Sequence, residues 1–318
     1  MKRKIVLVIV IVLTTLILLL TFYYAFNGFR NSFEDQKSDT LINNSINLEQ
    51  QTTPWNIEAL GIDIKKVTNS KNRKVKIAVI DSGIYKEHED LYGVIVKEFN
   101  AINQDEQVID EFGHGTAIAG IIGGLNNEIG VVGIATNIEI YDVKVLDKYG
   151  RGDVRDLITA IDWCIEQNID IINISFGYQT ESVELKSAID RAVDEGIILV
   201  AAAGNTYGFG VDYPARYDSV ISISSVNKEL KRPTSAARGK IDFVAPGTDI
   251  LTTNNNGNYS YFNGTSFATA HATGIIALIL QDRDISKTDI ISTLIDNVLD
   301  LGEEGYDREY GHGLLQIN

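Results

Sequence analysis

Cysteine is almost missing from this chain. Cys164 stands alone among 318 residues, so no disulfide can form within the chain and the fold must rest on packing or on bound metal. Cys164 lies in the apolar helical run Leu157–Ile165, which marks it as a core residue. No cysteine lies near the N-terminal apolar stretch, which excludes a lipidated anchor there. Positive charge is in deficit. Lys and Arg number 28 against 43 Asp and Glu, for a formal net charge of −15. The first fifty residues hold a surplus of +1, which leaves −16 for the rest. Such a field argues against nucleic acid as a partner and for cationic ones, although solubility alone accounts for it equally well. Internal repeats and low-complexity tracts are absent. Histidine is scarce, with only His88, His114, His271 and His312.

What is present is a folding composition. Hydrophobic residues make up 44% and charged residues 22%, enough to bury a sizeable core in one large domain or two small ones. Met1-Lys-Arg-Lys4 precedes an uncharged stretch from Ile5 to Phe29. As a helix, Ile5–Phe26 would span about 33 Å, the thickness of a bilayer core. The basic residues before it orient the N-terminus to the cytoplasm and the remainder outside. Residues 1–29 are therefore an uncleaved membrane anchor or a cleaved signal peptide. The bulky Tyr24-Ala-Phe26 offers no clear cleavage site and favours the anchor. Residues 30–50 are polar and read as a linker or short pro-segment, and residues 51–318 as the folded domain.

Short apolar strands alternate with helices along that domain. Strands are expected at Lys76–Ile80, Glu139–Leu146, Ile169–Ile174, Ile197–Ala202, Val220–Val226 and Ile241–Val244. Helices are expected at His114–Ile122, Asp153–Gln167, Ser266–Gln281 and Ser286–Leu299. Asp153–Gln167 carries Val154, Leu157, Ile158, Ile161 and Ile165 on one face. The alternation predicts an α/β domain around a mostly parallel sheet. Sites on such sheets lie beyond the carboxyl ends of strands, which is where Asp81 falls. His114 and Ser266 each open an apolar helix, at the positive end of its dipole.

Asp81-Ser-Gly83, His114-Gly-Thr116 and Gly264-Thr-Ser-Phe-Ala268 set an Asp, a His and a Ser in that order. This is one of three known orders for a nucleophilic triad. A serine hydroxyl is a weak nucleophile until a base takes its proton, and that base needs a third group to orient it. The longer stretches Ile77–Ile84, Gly113–Gly120, Asn263–Ala268 and Ala201–Asn205 resemble the aspartate, histidine, serine and oxyanion motifs of subtilisin-like serine proteases. The resemblance covers roughly Gln51 to Gly313. It implies a three-layer α/β subtilisin-like fold and a serine endopeptidase. It gives Ser266 the role of nucleophile, His114 that of base and Asp81 that of its orienter. The Asn205 amide and the Ser266 N–H would hold the oxyanion. The serine helix departs from the family pattern at Phe267 and at Ala270-His271. His271, His88 and His312 are expected to be structural or solvent-facing.

The resemblance also implies a substrate cleft for an extended peptide or protein. Gly150-Arg151-Gly152 resembles one edge strand and Ser175-Phe176-Gly177 the other, so the peptide would add as a strand. Asp212, before Tyr213-Pro-Ala215, falls at the floor of the first specificity pocket, where it would favour Arg or Lys before the cut. The stretch Leu125–Val131 resembles a calcium loop. The implied ligands are the carbonyls of Leu125, Ile129 and Val131, the Asn127 side chain, Asp90 and Gln51, all hard oxygen donors suited to Ca²⁺. Residues 30–50 are short for a folding pro-domain, so the chain is expected to fold unaided or to be trimmed only briefly. The expectation is a protease on the outer membrane face or secreted. It would process exported peptides, for example by removing leaders of lanthionine-containing peptides. A general scavenging protease and an inactive peptide-binding module are the alternatives.

Overall fold

The computed structural model describes residues 42–63, 73–282 and 289–317. The expected anchor or signal segment, and residues 30–41 of the expected linker, lie outside them. Among the described residues no helix is long and apolar enough to cross a membrane.

A nine-stranded sheet organises the domain. Its strands are β2 (Val75–Asp81), β3 (Ile95–Asn100), β4 (Ile138–Lys144), β5 (Ile171–Ile174), β6 (Ile198–Ala202), β7 (Ile221–Val226), β8 (Phe243–Pro246), β11 (Val298–Leu299) and β12 (Leu314–Leu315). The order is β11-β12-β8-β7-β6-β5-β2-β4-β3. Every pair is parallel except β11 with β12. Parallel strands are covered on both faces, so they read as continuous apolar runs. Accordingly β5, β6, β7 and β8 are buried along their whole length. Helices His114–Gly123 and Thr265–Asp282 pack on each other and on the sheet. Helices Val154–Glu166 and Val183–Asp194 form a second pair against β2 and β6. The result is the three-layer α/β architecture that the sequence implied.

From β2 the chain builds β3 and β4 on one side, then crosses to β5 on the other. Strand order therefore reverses at β2, and a crevice opens beyond its carboxyl end. Asp81 is the last residue of β2. A separate antiparallel sheet joins β1 (Ile42–Ile46), β10 (Tyr259–Phe262) and β9 (Ile250–Thr253) in that order. At the corner of β7 and β8, Lys240 Nζ donates to Val220 O and lies 2.6 Å from Asp242 Oδ2.

Two expectations are corrected. The stretch 42–46 of the expected linker is β1, because its backbone pairs with β10 at a sheet edge and edge strands need little apolar signal. The expected helix Ser286–Leu299 is a short helix, Ile290–Ile295, and its first residues lie outside the described set. After Asn297 the chain turns and Val298–Leu299 pairs with β12, where the sheet edge supplies hydrogen bonds that a further helical turn would not. Helix Val183–Asp194 and strands β3, β9 and β10 are additions to the elements expected from sequence.

Candidate active site

Three elements converge at the end of β2. The Asp81 carboxylate lies 2.8 and 2.9 Å from His114 Nδ1 through its two oxygens. Asp81 is fully buried and His114 is 5% exposed, so the pair sits in a medium where its attraction is little screened. Asp81 Oδ1 also accepts the Ser82 N–H at 2.8 Å. Gly115 is required beside the imidazole, since a Cβ there would collide with the Gly83 carbonyl. The His114 ring packs on Phe267 with centroids 5.4 Å apart. Phe267 follows Ser266, the second residue of its helix, so imidazole and serine share the helix start.

Ser266 Oγ donates to Ser175 O at 2.7 Å, and Ser175 Oγ donates back to Ser266 O at 3.1 Å. The end of β5 is thus tied to the serine helix. Asn205 Oδ1 accepts the Thr265 N–H at 3.2 Å, which turns the amide nitrogen toward the other edge of the side chain. Asp81 is thus paired with His114, whose ring lies against the residue after Ser266, and Asn205 accepts from the residue before it.

The two expected substrate edges flank this cluster. Gly152 lies near the Tyr178 hydroxyl: a Cβ on it would be 3.5 Å away. Ser175–Gly177 runs into Tyr178, which exchanges backbone hydrogen bonds of 2.7 and 2.8 Å with Tyr213. The Phe176 ring meets that of Tyr178 edge-on, with centroids 6.0 Å apart. Arg151 is exposed. Asp212 is half-buried between Gly177 and Gly204, each of which would meet it with an added Cβ. Burial pushes its carboxyl up to about 6, partly offset by Arg216.

The expected calcium ligands also meet. Gln51 Nε2 donates to Leu125 O at 3.0 Å, and the Gln51 and Thr52 N–H groups reach Glu128 O and Gly130 O at 2.8 Å. Asn127 Nδ2 lies 3.0 Å from Asp90 Oδ1, and the Val131 N–H lies 2.9 Å from Asp90 Oδ2. Ile129 sits in the same loop, its N–H on Asn127 Oδ1. Asp90 is fully buried, and burial raises its pKa against these hydrogen bonds. Among the described residues no Lys or Arg pairs with it. The Asp90 carboxylate is held by N–H donors, and the Leu125 carbonyl on the neighbouring loop accepts from Gln51; carboxylate and carbonyl oxygens are the donor types that Ca²⁺ takes. Among the described residues there is no cluster of three acidic, His or Cys side chains; the implied set needs only one carboxylate.

His271 is structural. It is fully buried, its Nδ1 is 2.7 Å from Phe267 O, and its Nε2 is 2.7 Å from Asn56 Nδ2. Burial lowers its pKa to about 4, so it is the neutral ring that donates from Nδ1 and accepts at Nε2. His88 is buried edge-on to Tyr259, with centroids 5.1 Å apart, and His312 packs on Phe243 at 5.6 Å. Both lie apart from the triad.

Sequence reasoning missed Phe112 and Asp110. The Phe112 ring lies between His114, centroids 6.1 Å apart, and Gly150, where a Cβ would come within 2.7 Å of it. Asp110 accepts the N–H groups of Gly113 and Thr116 at the start of the histidine helix. An acidic residue four positions before a helix-opening histidine is the signal that could have found it.

The family model for the subtilase family, Peptidase_S8, matches residues 72–313. The chain belongs to the subtilase family. It is a subtilisin-like serine endopeptidase. Minor extracellular protease Epr of Bacillus subtilis (strain 168) is 40% identical over 276 residues, 86% of this chain but only 42% of that relative. Subtilisin DY of Bacillus licheniformis is 34% identical over 273 residues, 84% of this chain and 98% of the relative. Subtilisin E of Bacillus subtilis (strain 168) is 38% identical over 278 residues, 84% of this chain and 71% of the relative.

Proposed function

We propose that this endopeptidase cuts exported peptides through Ser266, His114 and Asp81. In this reading Ser266 Oγ attacks the scissile carbonyl carbon while His114 Nε2 takes its proton. The carbonyl π electrons move to oxygen, where the Asn205 amide and the Ser266 N–H stabilise them. The C–N bond then breaks and the amine leaves with the proton from His114. Water, deprotonated by the same imidazole, releases the acyl group from Ser266. Asp81 holds the imidazole tautomer and stabilises the imidazolium. The observation that carries this reading is the buried pairing of Asp81 with His114 Nδ1 at 2.8 Å, with the imidazole over the residue after Ser266. A fluorophosphonate probe should label Ser266 in the folded protein. Absence of labelling would leave the inactive peptide-binding module as the reading.

The half-buried carboxylate of Asp212 supports a preference for Arg or Lys before the cut. Peptides with Arg, Phe or Leu at that position should rank Arg first. Asp212→Gly should cost the Arg peptide about 30-fold in kcat/KM, near the lower end for losing a partially desolvated charge pair, and leave the Leu peptide little changed. The preference should grow as pH rises through about 6, where the carboxyl ionises. Equal rates on Leu and Arg peptides in the native enzyme would refute the assignment.

Gln51, Asp90, Leu125, Asn127, Ile129 and Val131 would hold a structural Ca²⁺, which would tie the chain near Gln51 to the 125–131 loop. With calcium at a hundred times its Kd, binding adds about 2.7 kcal/mol, or roughly 5–10 °C in Tm for a domain of this size. Chelation should remove that increment; an unchanged Tm would end the calcium reading. The uncharged run 5–29 supports an anchored or secreted enzyme outside the cell. The acidic surface argues against nucleic acid as a partner. Removal of leaders from lanthionine-containing peptides is the specific role proposed. A general scavenger would instead digest casein at many sites.

A further inference from the structure

We propose that Asp110 is a positioning residue that clamps the Asp81 strand end to the His114 helix and sets the alignment of the pair. This rests on the catalytic reading of Ser266, His114 and Asp81. Asp110 is 7% exposed, and its carboxylate bonds reach the segments that carry the pair. Its two oxygens divide their work. Oδ1 accepts from Ser82 Oγ and the Gly113 N–H, each at 2.7 Å. Oδ2 accepts from the Thr116 N–H at 3.0 Å and Thr116 Oγ1 at 2.5 Å.

The partners matter more than their number. Ser82 is the residue whose N–H orients Asp81 Oδ1, and its Oγ also accepts the Gly115 N–H at 3.0 Å. Gly113 and Gly115 are the two neighbours of His114. The backbone on both sides of the imidazole is therefore held by one hydrogen-bonded unit, which also grips the residue that aims the carboxylate. Lys144 Nζ closes the unit from below, donating to Ser82 O at 2.6 Å and Ile109 O at 2.9 Å. Asn255 Nδ2 pins the Asp110 carbonyl at 2.9 Å. A carboxylate can accept four bonds in this way; an amide in its place offers one acceptor oxygen and must turn a donor toward other donors.

Asp110 also adds a buried negative charge near the imidazole. The titratable groups around it are Asp81, Lys144 and Asp142, and burial disfavours the charged form of Asp142. Removing the Asp110 charge should make the imidazolium less favoured.

The experiment measures kcat, KM and the pH profile of kcat/KM on a chromogenic peptide for wild type, Asp110→Asn and Ser82→Ala. Both variants should lose about 10- to 100-fold in kcat, the scale of a small misalignment, with KM within about twofold. The acid limb of the Asp110→Asn profile should move to lower pH. The double variant should be no worse than Asp110→Asn alone, because both changes break one unit. A residue that only caps the helix would lower Tm and leave kcat and the profile untouched, and that result would overturn the proposal. If Asp110→Asn does not fold, Ser82→Ala decides alone, since it keeps the Asp110 bonds to Gly113 and Thr116 and removes only the Ser82 Oγ bonds to Asp110 and Gly115. Active wild type with unaltered variants removes this inference and leaves the catalytic reading standing; inactive wild type removes both.

Discussion

Ser266→Ala will fold and will hydrolyse peptides about 10⁶-fold more slowly than the native chain. That magnitude is the loss known for a subtilisin stripped of its nucleophile, and the proposed triad makes it the expectation for this chain. The structural cost is small. The variant loses the Ser266 Oγ bond to Ser175 O but keeps the reciprocal bond from Ser175 Oγ to Ser266 O. One ordinary hydrogen bond is worth about 1 kcal/mol, so Tm should fall by only a few degrees. Residual turnover over water would come from the oxyanion donors and binding. Measuring kcat with Tm separates the two effects. A variant that retains more than a tenth of native kcat would reject Ser266 as nucleophile.

The second large effect concerns alkaline stability. Asp142 on β4 is fully buried. Its Oδ2 accepts the Ile84 N–H at 2.9 Å, and its Oδ1 has no hydrogen-bond partner among the described residues. Burial holds its carboxyl well above the usual range; Asp110 and Glu98 push the same way, and Lys144 opposes them. The sign follows from proton counting. Above about pH 4 the unfolded chain ionises this group, whereas the native chain keeps its proton. The native state therefore binds more protons, and stability falls as pH rises until the folded group also ionises. Asp142→Asn removes this dependence and keeps the acceptor for Ile84. The variant should gain roughly 1–3 kcal/mol near pH 9, the scale of a buried polar group left uncompensated, and little at pH 4. Thermal melts of both proteins from pH 4 to 9 give the test. Parallel curves would show that Asp142 does not titrate between the two states. On the acid side, His271 works in the opposite sense: neutral when folded down to about pH 4, it costs stability as pH falls from about 6.5.

The proposed catalytic constellation is legible in the sequence because each of its members sits in a short local motif, and close approach forces a small residue beside His114. Gly115 against the Gly83 carbonyl is one such constraint. The buried parallel strands are equally plain, since covering both faces makes their apolar runs continuous. Context is what a local pattern lacks. Helix Val183–Asp194 is an exception, for its signal is local and complete: Leu185, Ala188, Ile189 and Ala192 are buried at helical spacing, and Ser182 caps Leu185 N. Strands β1, β9 and β10 give weaker signals, because a three-stranded sheet at the surface is specified by pairing between distant segments. Val298–Leu299 reads as the end of a helix because two apolar residues fit either period. Asp110 carries a local signal, an acidic residue four positions before a helix-opening histidine, but its bond to Ser82, 28 residues away, is written in no local pattern.

At the corner of β7 and β8, the Lys240 ammonium group joins the Val220 carbonyl to the Asp242 carboxylate, so that corner carries a counter-charge bonded to the polypeptide. A tethered ammonium cannot be extracted by a sequestering agent or washed away by dilution. Loosening of this enzyme by such agents should therefore begin at the proposed calcium loop around Asp90 and leave the Lys240 corner in place.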